Sequence, residues 1–149
     1  MSDPAESSVA SRVQASFARQ AFMQTIGASV VSVEPGTVVI EWPYNKALTQ
    51  QHGFLHAGVV AAVADSACGY AALSLMDRDS AVLSVEFKVN LMKPAAGETF
   101  RATGKVIRAG RTLTVCSAEV QAFAAGKETT IAIMQGTMMA VRDTAGLSD

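Results

Sequence analysis

The segment Ala57–Met76 consists almost entirely of apolar and small residues and contains a single charged side chain, Asp65. A helix that is apolar on nearly all sides has to be covered on nearly all sides. The run is about long enough to cross a bilayer, but Asp65, Ser66 and Ser74 lie inside it and strand patterns follow it. We therefore predict a central helix that is buried within the protein, with no membrane partner.

Strand patterns flank this helix on both sides. Before it, β-branched residues surround the turn at 34–36, which is typical of a hairpin. After it, residues 84–92 alternate apolar and polar side chains, and further turns lie at 108–111 and 125–127. The predicted strands are Ser29–Glu34, Thr37–Trp42, Ser84–Met92, Thr99–Ile107, Thr112–Phe123 and Thr129–Val141.

The order of the elements predicts an α+β fold. Residues 4–26 place Val9, Val13, Phe17 and Phe22 near helical spacing, so an outer amphipathic helix is expected before the strands. Strands and helices do not alternate, which favours an antiparallel sheet. We predict one domain over residues 1–149, with an N-terminal helical extension at 1–26 and a core at 27–142. In that core a curved antiparallel sheet of about five to six strands would wrap the long central helix.

The composition excludes several classes of function. The formal net charge is -1, whereas nucleic-acid binders carry basic patches, so no nucleic-acid partner is expected. Residues 1–26 contain several charged side chains and lack the apolar stretch of a secretion signal. The two cysteines, Cys68 and Cys116, have no metal-like spacing and favour a reducing, cytoplasmic location.

Asp65 is the residue at which we expect the chemistry. Burial of an unpaired carboxylate is unfavourable, so its position within an apolar run indicates a function. The alternative is an ordinary helix-surface carboxylate paired with a lysine or arginine. The face that it shares at helical spacing is made of small residues, which leaves room for a ligand or another backbone: Ala61, Ala62, Cys68, Gly69 and Ala72.

The start of the same helix is the second candidate element. The first N–H groups of a helix have no internal acceptor, and the helix dipole favours negative charge there. The N–H groups of Ala57 and Gly58 would therefore stabilise a carbonyl oxygen that develops negative charge during acyl transfer. The alternative is an ordinary helix N-terminus with no ligand.

Distance constrains how the two elements could act together. Ala57 and Asp65 are eight residues apart, which is about 12 Å along a helix axis. One thioester carbonyl cannot reach both groups on one helix. A site that uses both must combine the helix start of one chain with Asp65 of another, which predicts an obligate dimer with two shared sites.

His52, His56 and Ser84 are further polar candidates near these elements. The two histidines lack a third nearby ligand, so no metal site is predicted. His56 either shapes the turn into the helix or contacts the substrate. Ser84, on the polar face of its strand, either orients a water molecule or is simply solvated.

In chain order these residues resemble the motifs of the hot-dog-fold acyl-CoA thioesterases, in particular the phenylacetate-degradation (PaaI-like) subfamily. That family shows Asn or Gln, then His-Gly-Gly, an Asp on the central helix, a Ser on a later strand, a Pro-x-x-Gly turn and a Gly-Lys/Arg hairpin. The resemblance covers roughly residues 27–142. The matching residues are Gln50, His56-Ala57-Gly58, Asp65, Ser84, Pro94-Ala95-Ala96-Gly97 and Gly110-Arg111.

The resemblance implies hydrolysis of acyl-CoA to a free acid and CoA, by dimers that often pair into tetramers. Asp65 would be the general base or the nucleophile, and Ser84 of the same chain would assist the attacking water. The Ala57 N–H would bind the thioester oxygen, which Gln50 would help to position. Coenzyme A would be part of the substrate, so no cofactor is expected. Ala57 departs from the family's usual Gly, and Gln50 from the commoner Asn.

Four residues in or near these motifs are substrate-binding candidates, namely His56, Gly58, Phe54 and Arg111. Arg111 is included because cations at turns suit the phosphate oxygens of CoA. Two alternatives stay open. One is a non-catalytic acyl-CoA-binding module, and the other is a hot-dog hydratase that acts on enoyl thioesters by pairing a histidine with a carboxylate.

Overall fold

The elements of the protein follow the predicted order in a computed structural model that describes the backbone of residues 4–149 and the side chains of residues 8–149. Two N-terminal helices come first, followed by two strands, a short 3-10 turn, a long helix and four strands. These elements are α1 (Pro4–Ala18), α2 (Ala21–Ile26), β1 (Ser29–Glu34), β2 (Thr37–Pro43), the 3-10 turn Lys46–Leu48, α3 (Ala57–Leu73), β3 (Ala81–Leu91), β4 (Thr99–Ala109), β5 (Leu113–Ala124) and β6 (Lys127–Val141).

All six strands form one sheet in the order β1-β2-β4-β5-β6-β3. Every neighbouring pair is antiparallel. The central helix α3 packs against β2, β3, β4, β5 and β6, so the sheet wraps around it. The predicted α+β architecture with an antiparallel sheet on a central helix is thereby confirmed, and β1 and β3 are the two edges of the sheet.

The helix lies unusually close to the sheet at Gly104 of β4. A Cβ atom at this glycine would lie 2.3 Å from the carbonyl carbon and oxygen of Ala67. The facing residues of α3 are small as well, and Ala64, Ala67 and Ala71 are fully buried. Strand and helix therefore meet backbone to backbone, which fixes the height of α3 above the sheet.

The N-terminal extension differs from the single helix predicted over residues 4–26, because it is broken between α1 and α2. Val13 and Phe17 of α1 are buried, as their spacing predicts. Phe22, which the same spacing placed on the inner face, is 55% exposed, and Met23 occupies the core instead. The break restarts the helical phase, so a pattern read continuously across it selects the wrong residue.

The central helix ends three residues earlier than predicted, at Leu73 rather than at Met76. The next residue, Ser74, ties the helix end to the first hairpin. Its hydroxyl accepts the Gly36 N–H at 2.7 Å and donates to the Ala71 carbonyl at 2.7 Å. Within the described part of the chain, no helix has the length and hydropathy that a membrane span requires.

Strand β3 begins three residues earlier than predicted and is interrupted by a bulge between Ser84 and Glu86. Among the described strands it pairs only with β6, so its outer edge is open. Three of its apolar side chains are also exposed: Val85, Phe87 and Leu91 are 53%, 44% and 54% exposed. An open edge with exposed apolar residues is a template for pairing with another chain.

Candidate active site

Asp65 lies on α3 opposite the bulge of β3. Ser84 Oγ donates a hydrogen bond to Asp65 Oδ1 at 2.7 Å. Partial burial raises the pKa of the Asp65 carboxyl above its usual 3.8, and the Ser84 hydrogen bond opposes this with a smaller effect. Neither salt bridge found among the described residues involves Asp65. The carboxylate is thus not the surface ion pair that we considered as the alternative.

A cavity of about 170 Å³ opens beside this pair. Its wall combines the N-terminal extension, α3, β3 and the segment after β6. Asp65 and Ser84 are the only members that the sequence motifs identified. The other lining residues are Gln20, Ser66, Gly69, Tyr70, Val82 and Asp149.

The start of α3 is capped by His56. Its Nδ1 accepts the Gly58 N–H at 2.8 Å, and a Cβ at Gly58 would lie only 2.9 Å from that nitrogen. The histidine therefore shapes the helix start, and it occupies one of the two N–H groups that we expected to face a ligand. The Ala57 N–H has no acceptor among the described residues. One donor is left where two were predicted.

Ala57, Gln50 and Phe54 line a second cavity, of about 430 Å³, at this end of the helix. The side-chain oxygen of Gln50 accepts the His52 N–H, and the Gln50 NH₂ group has no acceptor in the described part of the chain, which leaves it as a free donor. The rest of the wall is mainly apolar, and Lys93 is the one cation among its described residues. It consists of Leu55, Val60, Leu91, Met92, Lys93, Pro94, Ala95 and Ile131.

The two cavities have no lining residue in common. One lies against the end of β3 near Leu91, and the other against its beginning near Val82 and Ser84. Within a single chain, the Ala57 N–H and the Asp65 carboxylate therefore belong to different pockets. This matches the distance argument from the sequence, in which the two groups could meet only across two chains.

Arg111 is not brought to either cavity. It lines a separate cavity of about 250 Å³ near the C-terminal end of α3, together with Asp77 and Arg142. Arg142 donates to the Arg111 carbonyl at 2.8 Å and lies 3.5 Å from Asp77. Within one chain, Arg111 therefore does not lie beside the other candidate residues.

Sequence reasoning missed Gln20, Tyr70 and Asp149. Tyr70 follows Asp65 by five residues on the same helix, so its hydroxyl in an apolar run was a detectable signal. Gln20 and Asp149 come from opposite ends of the chain and carry no motif. No three histidine, cysteine, aspartate or glutamate side chains converge as metal ligands within the described residues.

Comparison with known proteins places these residues in a family context. The profile of the thioesterase superfamily matches residues 52–125, a range that includes Ala57, Asp65 and Ser84. The chain is 36% identical over 90 residues to a candidate esterase of Saccharolobus solfataricus, an alignment that covers 60% of this chain and 64% of that protein, just under two thirds. It is 32% identical over 100 residues to human acyl-coenzyme A thioesterase 13, covering 66% of this chain and 71% of that protein.

Solved structures show the same relationship. A thioesterase family protein from Silicibacter pomeroyi superimposes with a TM-score of 0.89 at 54% identity, over 90% of this chain and 98% of that one. The PaaI protein of E. coli superimposes with a TM-score of 0.81 over 96% and 97% of the two chains. Its identity is 20%, so this second likeness concerns the fold.

Proposed function

This chain belongs to the thioesterase superfamily, and we propose that it hydrolyses acyl-CoA thioesters to a free acid and CoA. Membership in this superfamily supports a thioester hydrolase, and the fold shared with the PaaI protein of E. coli supports the PaaI-like, hot-dog architecture that the sequence motifs implied. The observation that carries the proposal is the partly buried Asp65 carboxylate, with Ser84 bound to it, at the edge of an open cavity. Similarity to an acyl-coenzyme A thioesterase supports CoA as the thiol.

In this reaction Asp65 activates or performs the attack. As a general base it takes a proton from a water molecule, the resulting hydroxide adds to the thioester carbonyl, and the tetrahedral intermediate expels the CoA thiolate, which receives the proton. As a nucleophile it forms an acyl anhydride with release of CoA, and water then cleaves the anhydride. Ser84 Oγ, 2.7 Å from Asp65 Oδ1, would orient the water in either case.

The Ala57 N–H is the proposed donor to the carbonyl oxygen. It stands at the positive end of α3 and has no acceptor among the described residues. The free NH₂ group of Gln50 lines the same cavity and supplies a second hydrogen bond that positions the thioester. Both donors act from the subunit that does not supply Asp65.

We propose that two chains pair through β3 to complete each site. Antiparallel pairing of two β3 edges brings the Leu91 end of one strand beside the Ser84 end of the other. The cavity that holds Ala57 then adjoins the cavity of the partner subunit's Asp65. The exposed Val85, Phe87 and Leu91 support this edge as the contact. Further pairing into tetramers stays a prediction, as does the cytoplasmic location, with which the two free, buried cysteines are consistent.

Asp65→Ala and Asp65→Asn test the proposed function. The wild type should release a free thiol from a panel of acyl-CoAs, and both variants should be slower by about a hundredfold or more. Asp77→Asn, which removes the same charge from a carboxylate that is 81% exposed, is the matched control. Equal rates in wild type and both Asp65 variants would reject the site. Tight acyl-CoA binding without turnover would indicate a binding module, and hydration of crotonyl-CoA would indicate a hydratase.

A further inference from the structure

Asp149, in the segment after β6, closes the cavity beside Asp65. Its Oδ1 accepts a hydrogen bond from Ser16 Oγ at 2.8 Å, and its Oδ2 accepts the Val82 N–H at 2.7 Å. The side chain is therefore held between α1 and β3. Both donors are neutral groups, so these contacts orient the carboxylate without cancelling its charge.

Asp149 is the final acceptor of a chain of hydrogen bonds from Gln20 through Tyr70 and Ser16. Because the single hydroxyl proton of Ser16 goes to Asp149, the Tyr70 hydroxyl must donate to Ser16, from which it lies 3.2 Å. The Tyr70 oxygen in turn accepts from Gln20 Nε2 at 2.8 Å. Ser16 and Tyr70 are only 4% and 3% exposed, so the chain of bonds is shielded from competing water. It fixes the carboxylate in the cavity wall.

The described side chains that line the cavity carry only negative charge. Asp65 and Asp149 both line it, and the described residues of its wall include no lysine or arginine. Two arginines lie near Asp149 but outside the lining: Arg19 donates to the Ser148 carbonyl at 3.0 Å, and Arg12 interacts electrostatically with Asp149. The Arg12 guanidinium is bound to the carbonyl oxygens of Met76 and Ser80, at 3.2 Å and 2.6 Å. A ligand in the cavity therefore faces two carboxylates.

The size of the cavity indicates which part of a thioester it would hold. At about 170 Å³ the cavity beside Asp65 is the smaller of the two, so a short acyl group suits it better than the long arm of CoA. The cavity beside Ala57 is larger, at about 430 Å³, and includes Lys93, which suits the arm and its phosphates. The acyl group is thus assigned to the Asp65 side.

We propose that this cavity is the acyl subsite and that Asp149 is a specificity-determining residue that rejects acyl groups with a terminal carboxylate. The assignment rests on the proposed function. A neutral acyl group of the same shape meets only the fixed wall. An anionic one is brought against Asp149 and Asp65, and no cation among the described lining residues neutralises it. Discrimination by charge then comes from Asp149, because Asp65 is required for the reaction itself.

The test compares two thioesters that differ in charge but hardly in shape, glutaryl-CoA and 5-methylhexanoyl-CoA. The wild type should show kcat/KM at least roughly tenfold higher for the neutral substrate, as expected for like charges within several ångströms at reduced dielectric. Asp149→Asn should reduce this ratio by roughly tenfold, mainly through a gain on glutaryl-CoA. Asp143→Asn is the control, since it makes the same change at an exposed position of the same segment.

Each outcome has one meaning. Equal kcat/KM for the two substrates in the wild type overturns the proposal, even if no variant can be purified. A ratio that is the same in Asp149→Asn and Asp143→Asn also overturns it, while leaving the thioesterase assignment intact. Absence of turnover on every thioester in the wild type refutes the proposed function, and the acyl subsite with it. A drop in the ratio confined to Asp149→Asn supports the assignment.

Discussion

Ser84 lies 2.7 Å from Asp65, although 19 residues separate the two along the chain. The bulge that follows Ser84 in β3 places this hydroxyl at the height of Asp65 on α3. A bulge commonly re-aims a side chain beside a functional site. The pair is therefore set by the geometry of strand and helix within one subunit, whereas the oxygen-binding donor is proposed to come from the other subunit.

Ser84→Ala should move the acidic limb of the pH–rate profile to higher pH. The Ser84 hydrogen bond lowers the pKa of Asp65, which burial raises. Its loss raises that pKa further, so the ionised form needed for attack is reached only at higher pH. The profile of kcat/KM against pH provides the measurement. Ser66→Ala is the control, because Ser66 lines the same cavity without a hydrogen bond to Asp65. An acidic limb that shifts equally in both variants would contradict the prediction.

Ala57→Pro should lower kcat by about a hundredfold to a thousandfold, the usual effect of removing an oxyanion donor. Proline suits the first position of a helix, and His56 before it already has the extended φ of -60° and ψ of 138° that proline requires. The substitution thus removes the N–H with little change in structure. Ala57→Gly keeps the N–H and should retain most of the activity.

Ala57→Pro also tests whether each active site is shared between two subunits. Heterodimers of one Asp65→Ala chain and one Ala57→Pro chain, purified through two different tags, would contain one intact site and one doubly defective site. They should recover roughly half of the wild-type rate per dimer, since a twofold dimer has two equivalent sites. Heterodimers of Asp65→Ala with Asp65→Asn should stay inactive. Failure of the first pair to recover activity would indicate sites built within single chains.

Phe87→Glu should prevent dimer formation. Phe87 is 44% exposed in the middle of the open β3 edge, where a charge opposes pairing of two strands. Sedimentation or light scattering should give the monomer mass, with activity lost and the circular dichroism spectrum retained. Phe22→Glu is the matched control, because Phe22 is 55% exposed on α2, away from that edge. A dimer that persists in Phe87→Glu would place the interface elsewhere.

Gly104→Ala should destabilise the fold by about 1–3 kcal/mol, as overpacking commonly does. The new methyl group would lie 2.3 Å from the Ala67 carbonyl. Gly69→Ala offers a contrast. Gly69 lies on α3, and a Cβ there meets nothing within 4 Å. It should be neutral or stabilise the helix by up to about 1 kcal/mol. Urea unfolding monitored by circular dichroism compares the two, and equal midpoints would contradict the packing argument.

The sequence predicted the features that depend on local pattern. The apolar run of α3 and the alternation of the strands identified every element of the sheet and its antiparallel arrangement. The motif order identified Asp65, Ser84, Ala57 and Gln50 as candidates, and the structure groups them into two cavities. Local periodicity is enough for this because helix and strand faces are set by 3.6- and 2-residue repeats.

The rest depends on contacts between distant segments. Nothing local indicates that Gln20 and Asp149, from opposite ends of the chain, close the cavity beside Asp65. Nor does the motif at the helix start show that His56 would take the Gly58 N–H, which leaves the Ala57 N–H alone. The exposed position of Phe22 follows from a break in the helix that neither proline nor glycine marks.

Helix α3 carries the amide donor at its first residue and the acid eight residues later. In the proposed dimer, each α3 helix would therefore contribute one group to each of the two active sites, like a rigid rod between them. A tilt of that rod moves the oxygen-binding group of one centre and the attacking group of the other at the same moment. Changes at the Gly104 contact would therefore alter both centres together, and neither could be tuned alone by repacking beneath the helix.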